Sequence, residues 1–202
     1  KTEVPTYLLN HRDKLYLSEY PALTETVTVS AEEAELLGML TADGSIGDNF
    51  CRFTKTSQEL RDRIKYLWSS VTGGSTRDTT RPSGYNDSDV PCVELSGSPR
   101  YSKMIAYELY NEKRFKQVPM RILNSNRESI ISYLRGYNNC DGLKGGKVTC
   151  EFKCFTTNSQ VLAAGLWYLV DRSLGLRITS HPEFRNGLKY YHLNINSPVN
   201  NG

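Results

Sequence analysis

A chain of 202 residues with 38% hydrophobic content is long enough to bury a real core, as one large domain or two small halves. No stretch approaches the ~18 apolar residues of a membrane span and no signal-peptide pattern opens the chain, which leaves an intracellular globular protein without a membrane partner. A net charge of +3 is too mild to point to nucleic acid by itself, so the distribution of charge has to carry that argument.

In chain order, residues 1–30 are rich in Lys, Arg, Tyr and Pro without a clear period, and read either as a linker or as an extension that adds contacts. Ser30 with Glu33 forms a capping-box pattern, so a first helix starts near Ala31 and runs through Leu36-Leu37-Gly38-Met39-Leu40-Thr41-Ala42-Asp43-Gly44. A strand-like run follows from Ile46 to Lys55, with Phe50 and Phe53 on opposite faces. Ser57 then opens an amphipathic helix that ends at Gly73. Two further strands are expected before Ser98-Pro99, the last over Cys92 to Gly97, with a long Gly73 to Pro91 loop carrying Arg77 and Arg81. A helix over Tyr101 to Tyr110 leads to the basic run Lys113-Arg114-Phe115-Lys116.

The same order then recurs. Leu134-Arg135-Gly136-Tyr137-Asn138-Asn139-Cys140-Asp141-Gly142 superposes on the first Asp-Gly segment without a gap, each with a glycine five residues before the aspartate. A strand run over Lys147 to Thr156, a helix from Ser159 to Gly175 and a final strand over Lys189 to Asn196 repeat the first half. The Asp-Gly motifs lie 98 residues apart and the helix starts 102, an insertion of four that falls around Leu143 to Gly146.

A glycine inside an exposed helix costs about 1 kcal/mol relative to alanine, so Gly38 and Gly136 imply close backbone approach. Two helices meeting through Gly38/Ala42 and Gly136/Cys140 would bring Asp43 and Asp141 side by side. That pair is unfavourable when bare, because two carboxylates repel and both sit at negative helix ends, and a divalent cation would resolve the conflict. The competing reading is that each Asp-Gly only ends a helix through a left-handed glycine cap.

These segments, with Phe115-Lys116-Gln117-Val118-Pro119-Met120-Arg121-Ile122-Leu123 leading into the second one, resemble the LAGLIDADG homing endonucleases, in the single-chain two-repeat form found in inteins; the match covers roughly residues 31–198. The resemblance implies an α+β fold of two pseudo-twofold αββαββ(α) repeats, with the motif helices at their interface and an antiparallel DNA-binding saddle. Residues 1–30 would be a linker or extension, 31–125 the first repeat and 126–202 the second, whose last helix is absent. The implied protein is a monomer that cuts both strands of a long asymmetric double-stranded DNA site, leaving short 3′ overhangs. Asp43 and Asp141 would hold Mg²⁺, and Lys116 would orient the attacking water or stabilise phosphorane charge. A lysine symmetric to Lys116 is not found after the second repeat. The chain starts at Lys1, as a trimmed or excised segment would, without the first Cys or Ser and terminal His-Asn of splicing chemistry, so it is not expected to splice.

Candidate DNA contacts are Arg52, Lys55, Arg77 and Arg81 in the first repeat, and Lys147, Lys153, Arg177, His181, Arg185, Lys189, His192 and Asn194 in the second. In the second set Lys147, Lys153, His192 and Asn194 follow from alternation: Val148, Cys150, Phe152 and Cys154 make an apolar face against Lys147, Thr149, Glu151 and Lys153, and Tyr191, Leu193 and Ile195 oppose His192, Asn194 and Asn196. Five cysteines fit neither a disulfide framework nor a zinc pattern and read as reduced, buried residues, and the three histidines show no ligand spacing. The alternative function is a non-cleaving nucleic-acid binder of the same fold, an RNA maturase or a DNA-binding regulator.

Overall fold

The computed structural model describes residues 28–47, 50–83, 88–142, 151–185 and 187–196. Ser30 accepts the Glu33 amide at 3.2 Å, satisfying one of the donors a helix start leaves open, and α1 runs over Ala31–Asp43. The chain then folds back on itself as β1 (Gly44–Gly47) and β2 (Phe50–Thr54). Helix α2 (Gln58–Thr72) is bounded by the Ser57 cap and by Gly73 at φ 66°, a left-handed position that suits glycine. Strands β3 (Ser75–Pro82) and β4 (Asp89–Ser96) complete an antiparallel sheet ordered β1-β2-β4-β3. Helices α3 (Pro99–Leu109) and the single-turn α4 (Met120–Leu123) lead to α5 (Arg127–Asp141), capped by Asn126. The second half continues with β5 (Cys154–Thr157), α6 (Gln160–Leu174), β6 (Arg177–Arg185) and β7 (Leu188–Asn196), in a sheet ordered β5-β7-β6. Ser159 and Gly175 bound α6 as Ser57 and Gly73 bound α2, with Gly175 at φ 63°.

The architecture is α+β with antiparallel sheets and two repeats, as expected. Three local expectations change. The run from Ile46 to Lys55 is a hairpin rather than one strand. The stretch read as a long loop contains β3, so Arg77 and Arg81 are strand residues paired with Glu94 and Val90 on β4. The strand read over residues 147–156 is, among the described residues, β5 over Cys154–Thr157; Phe152 and Cys154 are buried and Glu151 and Lys153 exposed, as the alternation predicts, and Phe155, buried and paired with Leu193, lies beyond it. Lys147, Val148, Thr149 and Cys150 lie outside the described residues. The remaining cysteines, Cys51, Cys92, Cys140 and Cys154, are buried thiols with no disulfide among them.

One apolar core spans both halves, and its centre is the crossing of α1 and α5. Leu36, Leu37, Met39 and Leu40 pack there with Ile130, Tyr133, Leu134 and Tyr137. The glycines make the crossing possible. A Cβ on Gly38 would overlap the Tyr133 carbonyl oxygen and stand 2.9 Å from the Tyr137 nitrogen; one on Gly136 would overlap the Glu35 carbonyl oxygen and stand 3.1 Å from the Met39 nitrogen. Beside the contact, the buried Tyr133 hydroxyl donates to Thr41 Oγ1 at 3.0 Å, and Thr41 donates to Leu37 O at 2.7 Å, so both hydroxyls are satisfied.

Because those positions are filled by facing backbone, Gly38→Ala or Gly136→Ala is expected to destabilise by about 1–3 kcal/mol through overpacking, against the gain of about 1 kcal/mol alanine brings to an open helix. Urea unfolding reads the sign: a midpoint that rises on substitution would mean the helices do not touch there.

Candidate active site

The two motif helices end side by side, and each end leaves carbonyls without helical partners. After Asp43 and Asp141 the chain does not take the left-handed cap: Gly44 is at φ −75°, ψ 147° and Gly142 at φ −76°, ψ 151°, both extended. Glycine is needed there for space, since a Cβ on Gly44 would meet the Leu40 carbonyl and one on Gly142 the carbonyl of Asn138. The Asp-Gly pairs therefore turn the chain sharply out of each helix, leaving an aspartate at the last helical position.

A lysine ammonium sits on each end. Lys116 Nζ donates to Ala42 O at 2.7 Å and to Leu40 O at 3.5 Å, on α1. Lys55 Nζ donates to Cys140 O at 2.7 Å, on α5, and lies 2.5 Å from Asp43 Oδ2. Ala42 and Cys140 are equivalent positions, each one residue before its aspartate. The lysines thus supply positive charge where both helix dipoles and both carboxylates are negative.

Their electrostatics differ. Burial lowers the pKa of Lys55, but the Asp43 carboxylate in contact with it outweighs that loss and the net shift is upward. Lys116 has no such contact, and burial pushes it down to about 8 against the weaker pull of Asp141 and Asp43. Asp141 is raised, first by loss of water and then by the charge of Asp43, although its side chain keeps solvent access at the rim of the site. Asp141 and Lys116 line a cavity of about 450 Å³ with Thr41, Tyr137, Thr156 and Tyr190.

Lys116 is held from two sides. An isolated bridge pairs it with Tyr110, and its carbonyl accepts from the Ser159 hydroxyl, the N-cap of α6, at 2.5 Å. Lys55, expected among the solvated DNA contacts, is instead a partly buried residue of this site. The hairpin is the reason: Gly44 pairs with Phe53, so the residue just past β2 returns to the end of α1.

The residues can hold a divalent cation. Asp43 Oδ2 is buried with no hydrogen bond of good geometry, only the ion pair with Lys55, and Asp141 adds a second hard oxygen donor. Among the described residues no group of three or more His, Cys, Asp or Glu side chains could hold a metal ion.

The other expected contact residues lie on the strands. Arg52 on β2 and Arg77 on β3 both approach Glu94 of β4, at 3.6 and 2.6 Å, and the hydrogen bond from Arg77 holds that carboxyl below its usual range. Arg81 is exposed on β3, and Lys153 is exposed beside β5. Arg177, His181 and Arg185 follow along β6, with Lys189, His192 and Asn194 on β7. Glu183 there accepts from Arg185 at 2.6 and 2.7 Å and contacts His192 at 2.6 Å. Sequence reasoning passed over Glu94, which meets Arg52 and Arg77 of the neighbouring strands, and Glu183, whose signal was the arginine two residues on along the same strand.

No protein-family model matches this chain, and no curated protein does. Solved structures do. The homing endonuclease I-DmoI in complex with DNA and Mn aligns at TM-score 0.55 and 18% identity over 82% of this chain and 89% of that one. I-DmoI with DNA and Ca aligns at 0.55 and 17%, over 82% and 83%. The homing endonuclease I-WcaI bound to its DNA recognition sequence aligns at 0.53 and 12%, over 83% and 77%. Full-length DUF199/WhiA from Thermatoga maritima aligns at 0.54 and 14%, over 84% of this chain and 54% of that longer one. At these identities the likeness is one of fold, and the fold is that of the LAGLIDADG homing endonucleases. Among the described residues, no helix is long and apolar enough to cross a membrane.

The depressed pKa of Lys116 makes a signed prediction. The folded state holds this proton less tightly than the unfolded chain, so between about pH 8 and 10.5 stability rises with pH, and below pH 8 the full penalty is present. Urea titrations in metal-free buffer should show parent stability gaining on Lys116→Met by as much as about 3 kcal/mol across that window. A difference that is flat with pH, or falls, contradicts the burial of this ammonium.

Proposed function

We propose that this chain is a site-specific, metal-dependent DNA endonuclease acting as a monomer on a long asymmetric double-stranded site, and that its role is the homing of an intein. The observation that carries the reading is the convergence of Asp43 and Asp141 on one glycine-lined crossing with a lysine on each helix end. In this reading 31–125 and 126–202 are the two repeats and 1–30 an extension.

Asp43 and Asp141 would hold Mg²⁺ or a similar cation, which supplies Lewis-acid polarisation of a phosphodiester and activation of a water. The chain's own residues do the rest. Lys116, with a pKa near 8, carries its proton at neutral pH and places positive charge beside the cavity, where charge develops on a phosphorane. Lys55 does the same at the other helix end, on the Cys140 carbonyl. Hydrolysis by in-line attack on each strand would leave short 3′ overhangs. Arg52, Arg77, Arg81, Lys153, Arg177, His181, Arg185, Lys189, His192 and Asn194 form the contact set along the two sheets, to which Lys147, outside the described residues, is added from the sequence alone. Glu94 and Glu183 fix the guanidiniums of Arg77 and Arg185, so less rotamer freedom is lost when DNA binds. The homing endonucleases of like fold, solved with DNA and with Mn or Ca, support nuclease chemistry and duplex DNA as partner.

One observation favours a second reading, a non-cleaving nucleic-acid binder. The Lys55–Asp43 ion pair satisfies an acid without any metal.

Cleavage of a randomised plasmid library with Mg²⁺ separates them. The parent should cut, while Asp43→Asn and Asp141→Asn lose at least about 100-fold in rate and still shift target DNA in a gel. Cutting that survives both substitutions contradicts the assignment, and binding without cutting by the parent supports the second reading. Affinity should also fall steeply with salt, as phosphate contacts release counterions, and a salt-independent shift would count against duplex recognition.

A further inference from the structure

The two repeats differ at one matched pair of positions on their sheets. In the first, Thr54 of β2 stands opposite Cys92 of β4, and its hydroxyl donates to the buried Cys92 sulfur at 3.5 Å. In the second, Thr156 of β5 stands opposite His192 of β7 in the same register. Thr156 Oγ1 lies 3.1 Å from His192 Nδ1, and His192 Nε2 lies 2.6 Å from Glu183 Oε2. Thr156 also lines the cavity that holds Asp141 and Lys116. A chain of hydrogen bonds therefore runs from Glu183 through an imidazole to a hydroxyl on the wall of one catalytic centre, and its counterpart in the first repeat ends in a thiol.

The partners assign the tautomer. An ionised Glu183 only accepts, so Nε2 carries a proton toward it; in the neutral ring Nδ1 is then an acceptor and takes the Thr156 hydrogen. Glu183 stays ionised because the Arg185 hydrogen bond, with further help from His192, holds it down to about 2. With its hydrogen committed to the ring, Thr156 offers lone pairs to the cavity. On a protonated ring Nδ1 becomes a donor, and Thr156 must turn its own hydrogen outward. The titratable and charged groups around the ring are His181, its register partner on β6; Glu183 and Arg185 on the same strand; Tyr190 on β7; and Asp141 with Lys116 at the cavity.

We propose that His192 is a positioning residue of the second catalytic centre: held by Glu183, it fixes the Thr156 hydroxyl as an acceptor for a water O–H in the cavity, and gives the DNA strand cut there a dependence on pH that the other strand lacks. This rests on the endonuclease reading. The sign is set by the ring, since protonating it reverses the hydroxyl and slows that strand.

Nicking of each strand, followed with separate end labels under single-turnover conditions with Mg²⁺, tests this from about pH 5.5 to 8.5. In the parent, one strand should slow about tenfold more than the other on acidification. His192→Cys, which copies the first repeat, should slow that strand at pH 8 and abolish the differential; Thr156→Val should match it, and Glu183→Gln should weaken the differential. Parallel profiles in a parent that cuts, or a differential that survives His192→Cys, overturn the inference alone. A parent that binds DNA and nicks neither strand overturns the endonuclease reading and this inference with it. Nitrogen NMR of the three histidines provides a check that needs no cutting: a neutral His192 protonated on Nδ1 would also overturn it.

Discussion

The structure depends on backbone-to-backbone contact between α1 and α5. Gly38 lies against the Tyr133 carbonyl and Gly136 against that of Glu35, so the helix axes approach more closely than any pair of side-chain-bearing residues would allow. Everything else of interest is a consequence of that distance. It merges the cores of the two halves, and it sets two helix ends, two carboxylates and two lysines within one electrostatic neighbourhood. The conformational cost of glycine in a helix is offset by the burial of Leu36, Leu37, Leu40, Tyr133 and Leu134 around the contact.

Negative charge at such a crossing was expected to require a cation. The chain's own lysines already meet part of that requirement: Lys55 neutralises Asp43 directly, and both ammonium groups take carbonyls at the negative helix ends. The geometry is close to twofold, but the electrostatics are not. One lysine is stabilised in its charged form by a carboxylate in contact, the other is destabilised by burial, and the raised pKa of Asp141 reflects the same imbalance. Two helix ends that look alike in outline thus differ in how firmly they hold their protons.

What the sequence disclosed is what is local. Ser57 with Gly73, and Ser159 with Gly175, mark helix ends by chemistry confined to a few residues, and both helices appear where those signals place them. The glycine five residues before each aspartate announced a close approach because no local reason explains it. Features that depend on register were harder. Lys55 reads as a solvated charge until one knows that Gly44 pairs with Phe53. Strand β3, with the sequence Ser-Thr-Arg-Asp-Thr-Thr-Arg-Pro, has no apolar alternation and takes its conformation from pairing with β4. Phe155 is buried directly after Cys154, so the period of two that holds up to Cys154 does not carry on through β5.

The anchoring of the lysines bears on how the halves can be recombined. Lys116 belongs to the first repeat but its carbonyl is gripped by Ser159 of the second, and Lys55 reaches out of the first repeat to the carbonyl of Cys140 in the second. Thr157 occupies the place of Lys55 in the later half, where its hydroxyl accepts the Ser159 amide at 3.1 Å. Duplicating the earlier half into a symmetric pair would crowd two ammonium groups onto each Ala42 carbonyl, and duplicating the later half would, among the described residues, bring none to either helix end. The two segments have become complementary rather than interchangeable, so a chimera that exchanges one of them inherits a pair of helix ends whose cations were fitted to a different neighbour.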